Sequence, residues 1–165
     1  MRINKGVEWA AHACAVLVPL WPDRGLPLAA LAEFHGLPEP YMAKQMQALS
    51  RAGIVTGGRG RSGFYMLAKP PAEITLLDIL LAVDGDEPAF RCSEIRQQGP
   101  CAAKPDECKL PCNIAAGFAR AERSYRESLA QVDLAALTGA VAAQLGPDKV
   151  AEAGEWMAAN LRSRG

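Results

Sequence analysis

The chain has 165 residues and no net charge at pH 7; half of its residues are hydrophobic, but only 6% are aromatic. A chain of this length can bury a core without disulfides, and the shortage of aromatic side chains favours packed helices. No apolar run approaches the roughly 18–20 residues that a membrane span requires. We therefore expect no membrane partner and a cytoplasmic location, where cysteines serve more often as ligands or redox groups than as disulfides.

The charged residues are unevenly distributed along the chain. Residues 1–70 contain eight Lys or Arg and four Asp or Glu, a balance of +4, whereas residues 71–165 have a balance of −4. A basic first half followed by an acidic second half is typical of a DNA-reading module joined to a sensing or pairing module.

The first third of the chain predicts three helices. The first spans residues 3–18 and ends before Pro19. The second covers residues 28–34, and the third runs over residues 38–52, with Gly36 in the tight joint between them. A pair of helices joined in this way predicts a helix-turn-helix.

Two short β-type runs follow, at residues 54–56 and 64–67. The segment between them reads GGRGRSG, which is rich in Gly and Arg and predicts a β-hairpin with a basic tip. A hairpin directly after a helix-turn-helix is the wing of a winged helix. The predicted fold class is therefore mainly α with a small β-hairpin.

The second half begins with a capped helix and continues with a long irregular segment. Thr75 and Asp78 form a capping-box start to a helix that stops at Gly85. The segment 86–112 is polar and rich in Pro, and loops of this length inside a compact domain are usually functional or disordered. A long helix then covers residues 113–132 and is a candidate for dimer pairing; the alternative is that it packs only on its own domain.

The third helix is predicted to present a DNA-reading face. On a helical wheel, Met42, Met46 and Leu49 fall together toward the core. The other side carries groups that suit base edges and phosphates, and the wing tip adds two arginines. The candidate DNA-binding residues are Tyr41, Lys44, Gln45, Arg51, Arg59 and Arg61. Each taken alone is also explained as a solvated surface residue, but as a set they indicate double-stranded operator DNA as a partner.

Four of the five cysteines lie in the irregular segment, at Cys92, Cys101, Cys108 and Cys112. The segment has no CxxC pair, so the usual spacing of a zinc knuckle is absent. Unequal spacing on a loop suits thiolates that wrap an iron–sulfur cluster. Cys14 lies in an apolar helix and is expected in the core.

Glu8 and His12 stand four residues apart on the first helix, so both side chains project from one face. A carboxylate and an imidazole placed in this way can ligate one metal together. The alternative is an ordinary surface ion pair. The metal interpretation depends on the cysteine-rich segment elsewhere in the chain.

Five stretches, taken in order, resemble the Rrf2 family of regulators: GVEWAAHACAV, YMAKQMQALSRAGIV, GRSGFYML, EITLLDILLAVDG, and CSEIRQQGP with a distal CxxxC. The resemblance spans roughly residues 1–118 and implies a winged-helix homodimer with a long pairing helix. In redox-sensing members it also implies a 2Fe–2S cluster held across the dimer. Glu8 and His12 would come from one subunit, and Cys92 and Cys112 from the other. Cys101 and Cys108 then remain as replacement ligands, redox thiols or inert residues.

The resemblance implies a transcription regulator, expected to be a repressor, whose operator affinity follows the redox state or occupancy of the cluster. One alternative is a cluster-free regulator of the same fold that senses thiol oxidation. Another is a zinc-stabilised protein-interaction module. An enzyme with a small-molecule substrate is not expected, because no Ser/His/Asp set or phosphate-binding Gly loop is present.

Three regions are expected on this basis. Residues 1–71 would form the winged helix-turn-helix, and residues 72–132 the cluster-binding loop and the dimerisation helix. Residues 133–165 would form two weaker C-terminal helices.

Overall fold

The protein is described by a computed structural model that covers residues 3–58 and 63–163. The described chain is mainly helical with a small antiparallel sheet, which confirms the predicted fold class. Its elements are α1 Lys5–Leu17, β1 Arg24–Pro27, α2 Leu28–Phe34, α3 Glu39–Arg51, β2 Val55–Gly58, β3 Phe64–Leu67, α4 Leu76–Asp84, α5 Asn113–Ala130, α6 Leu134–Leu145, α7 Pro147–Asn160 and β4 Arg162–Ser163.

The first helix, α1, is the centre of the core. The Asn4 side chain accepts a hydrogen bond of 2.8 Å from the Gly6 amide, which satisfies a free donor at the helix start. One face of α1 is buried against α3, α4 and α6. The core cluster around it consists of buried aliphatic and methionine side chains, among them Leu17, Leu31, Met42, Met46, Leu49, Ile79 and Leu134.

The helix-turn-helix formed by α2 and α3 confirms the prediction. Gly36, in the joint, and Gly53, after α3, both have positive φ angles, of 61° and 70°. L side chains rarely adopt such angles, so glycine ends each helix without strain. The Ile54 amide then donates to the Leu49 carbonyl at 3.0 Å and leads the chain into β2.

The predicted wing hairpin is present, but the sheet is larger than the hairpin. β2 pairs with β3 in the register Val55↔Leu67 to Gly58↔Phe64. The full strand order is β2-β3-β1-β4, so two further strands extend the sheet on the β3 side. Gly25 in β1 is required by this pairing, because a Cβ there would overlap the carbonyl oxygen of Tyr65.

The second half is anchored to the core at the start of α4. Thr75 and Asp78 form the predicted capping box, with the Thr75 amide donating to Asp78 Oδ2 at 2.8 Å. The Leu134 amide donates to the Ile74 carbonyl at 2.9 Å, so the beginning of α6 is held at the same place. Both predicted C-terminal helices are present as α6 and α7.

The C-terminal segment returns to the helix-turn-helix. The half-buried Trp156 of α7 packs edge-on against Phe34 at the end of α2, with the ring centroids 5.1 Å apart. β4 then pairs antiparallel with β1, through Arg24↔Ser163 and Gly25↔Arg162. The last helix and the sheet edge therefore support each other.

We expect Trp156→Ala to lower the free energy of unfolding by about 2 kcal/mol, less than the roughly 3–5 kcal/mol of a fully buried tryptophan. Denaturant unfolding measures the change. Val150→Ala, at an exposed position of the same helix, is the matched control and should change little. Equal unfolding midpoints for the Trp156→Ala variant and the unmodified protein would show that the α7 contact does not support the fold.

Candidate nucleic-acid interface and metal centre

The open face of α3 carries most of the predicted DNA-reading residues. Tyr41 is 56% exposed, and Lys44 and Arg51 are exposed on the same side. The opposite side, with Met42 and Met46, is fully buried. These three predicted residues are therefore available to a partner. Arg59 and Arg61 lie outside the described residues.

The structure contradicts the assignment of Gln45 as a base-contacting residue. Gln45 is only 4% exposed, and its Nε2 donates to the Tyr41 carbonyl at 3.3 Å. Its side chain lies against α1, where a Cβ on Gly6 would come within 2.9 Å of Gln45 Oε1. The helical wheel considered α3 alone and put Gln45 on its exposed side. In the structure, α1 packs over the edge of that side and covers Gln45.

Gln47 is the exposed amide on this helix. It lies three residues after Lys44 and four before Arg51, so helical spacing puts it on their face. The sequence analysis missed Gln47, although this spacing was a sufficient signal. The open face of α3 thus comprises Tyr41, Lys44, Gln47 and Arg51.

The outer face of α1 carries Glu8 and His12, both exposed and one helical turn apart. The His12 ring lies 5.7 Å from the ring of His35, which follows α2. Burial lowers the pKa of His35, and the neighbouring His12 lowers it further, while a main-chain contact with His12 opposes both effects. His35 was not predicted, because no motif connects it to α1.

A second aromatic contact connects α1 to α3. Trp9, next to Glu8, packs edge-on against Tyr41 with the ring centroids 5.8 Å apart. Together with the Gly6–Gln45 approach, it places the outer edge of α1 directly against α3, the helix that carries most of the predicted DNA-binding residues.

The ends of the irregular segment bring cysteines together. Cys112 immediately precedes α5, and although its sulfur makes no regular capping hydrogen bond, the amides of Ala115 and Ile114 lower its pKa. Arg96 and the Cys92 thiol lower this pKa further. The structure therefore places Cys92 beside Cys112 at a position that favours a thiolate.

The other two cysteines of the segment differ in their surroundings. Cys108 is partly exposed and lies close enough to Arg96 for their charges to interact. Cys101 is exposed. Neither of these two observations assigns a ligand role.

Within residues 3–58 and 63–163 of the chain, no group of three or more His, Cys, Asp or Glu side chains converges. The candidate ligands instead form two open pairs, Glu8 with His12 on α1 and Cys92 with Cys112 at the start of α5. Two thiolates, an imidazole and a carboxylate are donors that iron accepts, so this donor set fits an iron–sulfur cluster if the two pairs meet.

Cys14 is fully buried in α1, as predicted for a core cysteine. Burial raises the pKa of its thiol from 9.0 to about 12. It is therefore a packing residue and not a reactive group.

The long helix α5 has no buried residue in the described chain. Ile114 and Phe118 on this helix are 64% and 52% exposed, and Phe90 stacks on Phe118 with the ring centroids 4.5 Å apart. An exposed apolar face of this kind is typical of a protein interface.

No helix among the described residues is both long and apolar enough to cross a membrane.

Comparison with known proteins identifies similar sequences and folds. The family model Rrf2, described as an iron-dependent transcriptional regulator, matches residues 3–140. The regulator IscR of Photorhabdus laumondii is 34% identical over 92 residues, which cover 56% of this chain and 56% of that protein. The chain spans little more than half the length of the curated relatives that it matches first.

Solved structures share the fold at low sequence identity. IscR of T. potens superposes with a TM-score of 0.66 at 20% identity, covering 89% of this chain and 93% of that one. An oxidised form of Staphylococcus aureus CymR gives a TM-score of 0.62 at 21% identity, covering 84% and 96%. The relatives are named as transcriptional regulators and not as enzymes, in agreement with the prediction.

We expect Gln47→Ala and Gln45→Ala to affect different properties, namely DNA discrimination and stability. Gln47→Ala should cost about 1–3 kcal/mol of discrimination between operator and non-operator DNA, and should leave the free energy of unfolding nearly unchanged. Gln45→Ala should lower the free energy of unfolding by about 1–2 kcal/mol, because it removes a buried hydrogen-bonding side chain. Fluorescence anisotropy and denaturant unfolding measure the two quantities. The reverse pattern would restore Gln45 as the base-contacting residue.

We expect Cys14 to make stability depend on alkaline pH. Its folded-state pKa of about 12 exceeds the unfolded value of 9.0, so its contribution is complete below pH 9 and is lost as pH rises from 9 toward 12. Over this window the loss amounts to about 4 kcal/mol. Unfolding of the unmodified protein and of Cys14→Ala between pH 8 and pH 11 isolates the effect, with Cys101→Ala as the exposed control. A difference between the Cys14→Ala variant and the unmodified protein that stays constant with pH would contradict this assignment.

Proposed function

Because the chain belongs to the Rrf2 family of transcriptional regulators, we propose that it binds operator DNA as a homodimer and that a 2Fe–2S cluster between the protomers sets its affinity. The observation that carries this proposal is the presence of two open ligand pairs that do not converge within the described protomer. Glu8 and His12 of one protomer would join Cys92 and Cys112 of the partner subunit. This ligand set resembles that of the redox-sensing repressor RsrR.

The DNA side of the proposal depends on α3 and the wing. Tyr41, Lys44, Gln47 and Arg51 form an exposed face with two cationic groups. Arg59 and Arg61 stand between β2 and β3 in the sequence and would add contacts to the backbone or the minor groove. In a two-fold dimer, two such units read half-sites about one turn of DNA apart or a multiple of that distance.

The dimer side depends on α5. Its apolar residues Ile114 and Phe118 stay exposed in the protomer, and the exposed Leu110 and Ile95 of the preceding segment add apolar surface. Pairing of two α5 helices would cover this surface. It would also carry the cysteine pair at the start of each α5 toward the other protomer.

The ligand residues have distinct roles. When bound, a cluster with mixed thiolate, imidazole and carboxylate ligands supplies a one-electron redox couple. The amides at the start of α5 favour the thiolate of Cys112, which is the form that ligates metal. Glu8 and His12 would attach the cluster to α1, whose other face is part of the core.

The same helix would transmit a change in ligation to the DNA-reading face. α1 contacts α3 through Trp9 and Tyr41, and through Gly6 and Gln45. A small displacement of α1 therefore repacks the base of α3 and alters the spacing of the two recognition helices. A coupling of about 1–3 kcal/mol corresponds to a change in operator affinity of roughly 5–150-fold.

A cluster-free thiol sensor of the same fold is the second candidate. It is favoured by the contact between Cys92 and Cys112 and by the lowered pKa of Cys112, which together suit oxidation to a disulfide. The fold similarity to CymR in an oxidised form is compatible with this candidate. Both candidates are cytoplasmic regulators and share the DNA-reading surface.

We expect protein purified without oxygen to contain iron and inorganic sulfide, and Glu8→Ala, His12→Ala, Cys92→Ser and Cys112→Ser each to reduce that content. Cys101→Ser and Cys108→Ser are the matched controls and should retain it. A mixed dimer tests the arrangement across the protomers, with one chain lacking Glu8 and His12 and the other lacking Cys92 and Cys112. This dimer has one complete site if ligation crosses the interface, and none if it stays within a chain.

The mixed dimer is therefore expected to regain up to half of the cluster content, measured by iron and sulfide analysis after purification on two tags. Operator affinity of the reduced, oxidised and cluster-free protein then tests the switch. Equal affinities in all three states would refute it, and metal-free protein whose affinity changes on thiol oxidation would favour the second candidate.

A further inference from the structure

The segment 86–112 must hold cysteines from its two ends side by side, although it contains no long helix or strand. Its regular structure consists of two short 3-10 turns, Ile95–Gln97 and Pro105–Glu107. Cys92 and Cys112 are separated by 20 positions in the sequence, yet the Cys92 thiol lies near enough to Cys112 to lower its pKa. Closing such a loop costs conformational entropy, which other contacts must offset. One of these lies at the beginning of the segment, where Phe90 stacks on Phe118 of α5 with the ring centroids 4.5 Å apart.

Arg96 connects the two cysteine-bearing ends of the loop directly. Its guanidinium donates to both oxygens of the Glu94 carboxylate, at 2.5 and 2.8 Å, and Nη2 also donates to the Leu110 carbonyl at 3.1 Å. Its own carbonyl accepts from the Ala103 amide at 2.8 Å. One residue thereby joins the Cys92 arm (residues 92–96), the middle of the loop, and the Cys112 arm (residues 108–112).

Two further features single out this residue. Glu94 adopts a left-handed conformation with φ of 49°, which is unusual for a side-chain-bearing residue and turns its carboxylate toward Arg96. The Arg96 side chain is only 33% exposed, so its charge acts on nearby sulfurs with less screening than that of a surface arginine. Cys108 and Cys112 both lie within range of this charge.

The other ion pairs in this part of the chain differ from this arrangement. Arg91 pairs only with Glu87, four residues earlier, and is 72% exposed. Arg126 of α5 pairs with Asp86 and Glu122 and fixes the beginning of the segment to the helix, away from the cysteine arms. Arg96 is thus the cation that spans both arms, and Arg91 is a matched control on the same segment.

We propose that Arg96 is a positioning residue that fastens the Cys92 arm to the Cys112 arm, so that both sulfurs are presented together to an iron–sulfur cluster. The role toward the cluster rests on the proposed function, whereas the closure of the loop does not. The guanidinium supplies directional donors to a carboxylate and to a carbonyl at once. A lysine at this position would keep the charge but could not reproduce the planar fork.

The first test uses metal-free reduced protein in which Cys101 and Cys108 are serine, so that Cys92 and Cys112 are the thiols that remain besides the buried Cys14. Diamide oxidises the two thiols to one disulfide; the two electrons and two protons reduce diamide to its hydrazine. We expect Arg96→Ala and Arg96→Lys to slow this pairing about 10-fold, and Arg91→Ala to leave it unchanged. Alkylation of the same thiols by iodoacetamide reports thiolate character and should stay near normal in Arg96→Lys.

Far-ultraviolet circular dichroism and the thermal midpoint serve as folding controls, and Glu94→Gln provides a second variant that breaks the same contact from the other side. Undiminished pairing in Arg96→Ala and in Glu94→Gln would overturn the proposal. If every variant that slows disulfide formation also slows alkylation by the same factor, the charge of residue 96 explains the effect and the fastening role is overturned.

The second test concerns the cluster itself. In anaerobically reconstituted dimer, Arg96→Ala should speed the loss of iron to a chelator about 10-fold or more, as is typical when a supporting residue of a metal ligand is removed. Arg91→Ala should not. If the protein never binds iron but its Arg96 variants show the disulfide-pairing defect, the proposed function is contradicted and the fastening role stands. Normal iron retention in Arg96→Ala would overturn the role of Arg96 toward the cluster.

Discussion

The two faces of α1 impose the constraint on which the rest of the structure depends. The inner face, from Val7 through Ala10 to Cys14, is buried against α3 and α4, so a displacement of α1 also shifts the helices packed on it. The outer face, one helical turn of Glu8 and His12, is exposed. Because close-packed interiors deform little, a force applied to the outer face is passed to the helices packed on the inner one. This geometry makes α1 suitable both as a structural centre and as a place to attach a sensor.

The contact between α1 and α3 buries a polar side chain and connects α1 to the exposed face of α3. Gln45 occupies space that a Cβ on Gly6 would take, so the two helices approach closely where a polar side chain is buried. A buried amide must find partners, and Gln45 keeps one in the Tyr41 carbonyl. Tyr41 also touches Trp9, so the same short stretch of α3 connects the core, α1 and the exposed face of α3.

The cysteine segment has little regular structure, but charged groups and main-chain amides order it. The start of α5 supplies amides to Cys112, and Arg96 supplies a cation held by Glu94. Both features favour the thiolate of Cys112. At the other end of the chain, α7 and β4 close on α2 and β1, so the wing sheet is supported by residues more than a hundred positions away.

Local signals in the sequence were sufficient for the helices, the helix-turn-helix, the wing hairpin and the Thr75–Asp78 cap, because periodicity and capping depend on neighbours within a few residues. They also indicated Cys14 as a core residue and the two ligand pairs as candidates. Tertiary structure alone decided that Gln45 is buried, that β1 and β4 join the sheet, and that Arg96 connects the two cysteine arms. β2 and β3 flank a short Gly-rich segment that marks a hairpin, whereas β1 and β4 pair with strands distant in the sequence and have no such local signal. The burial of Gln45, like the loop contact, depends on segments that meet only when distant parts of the chain pack.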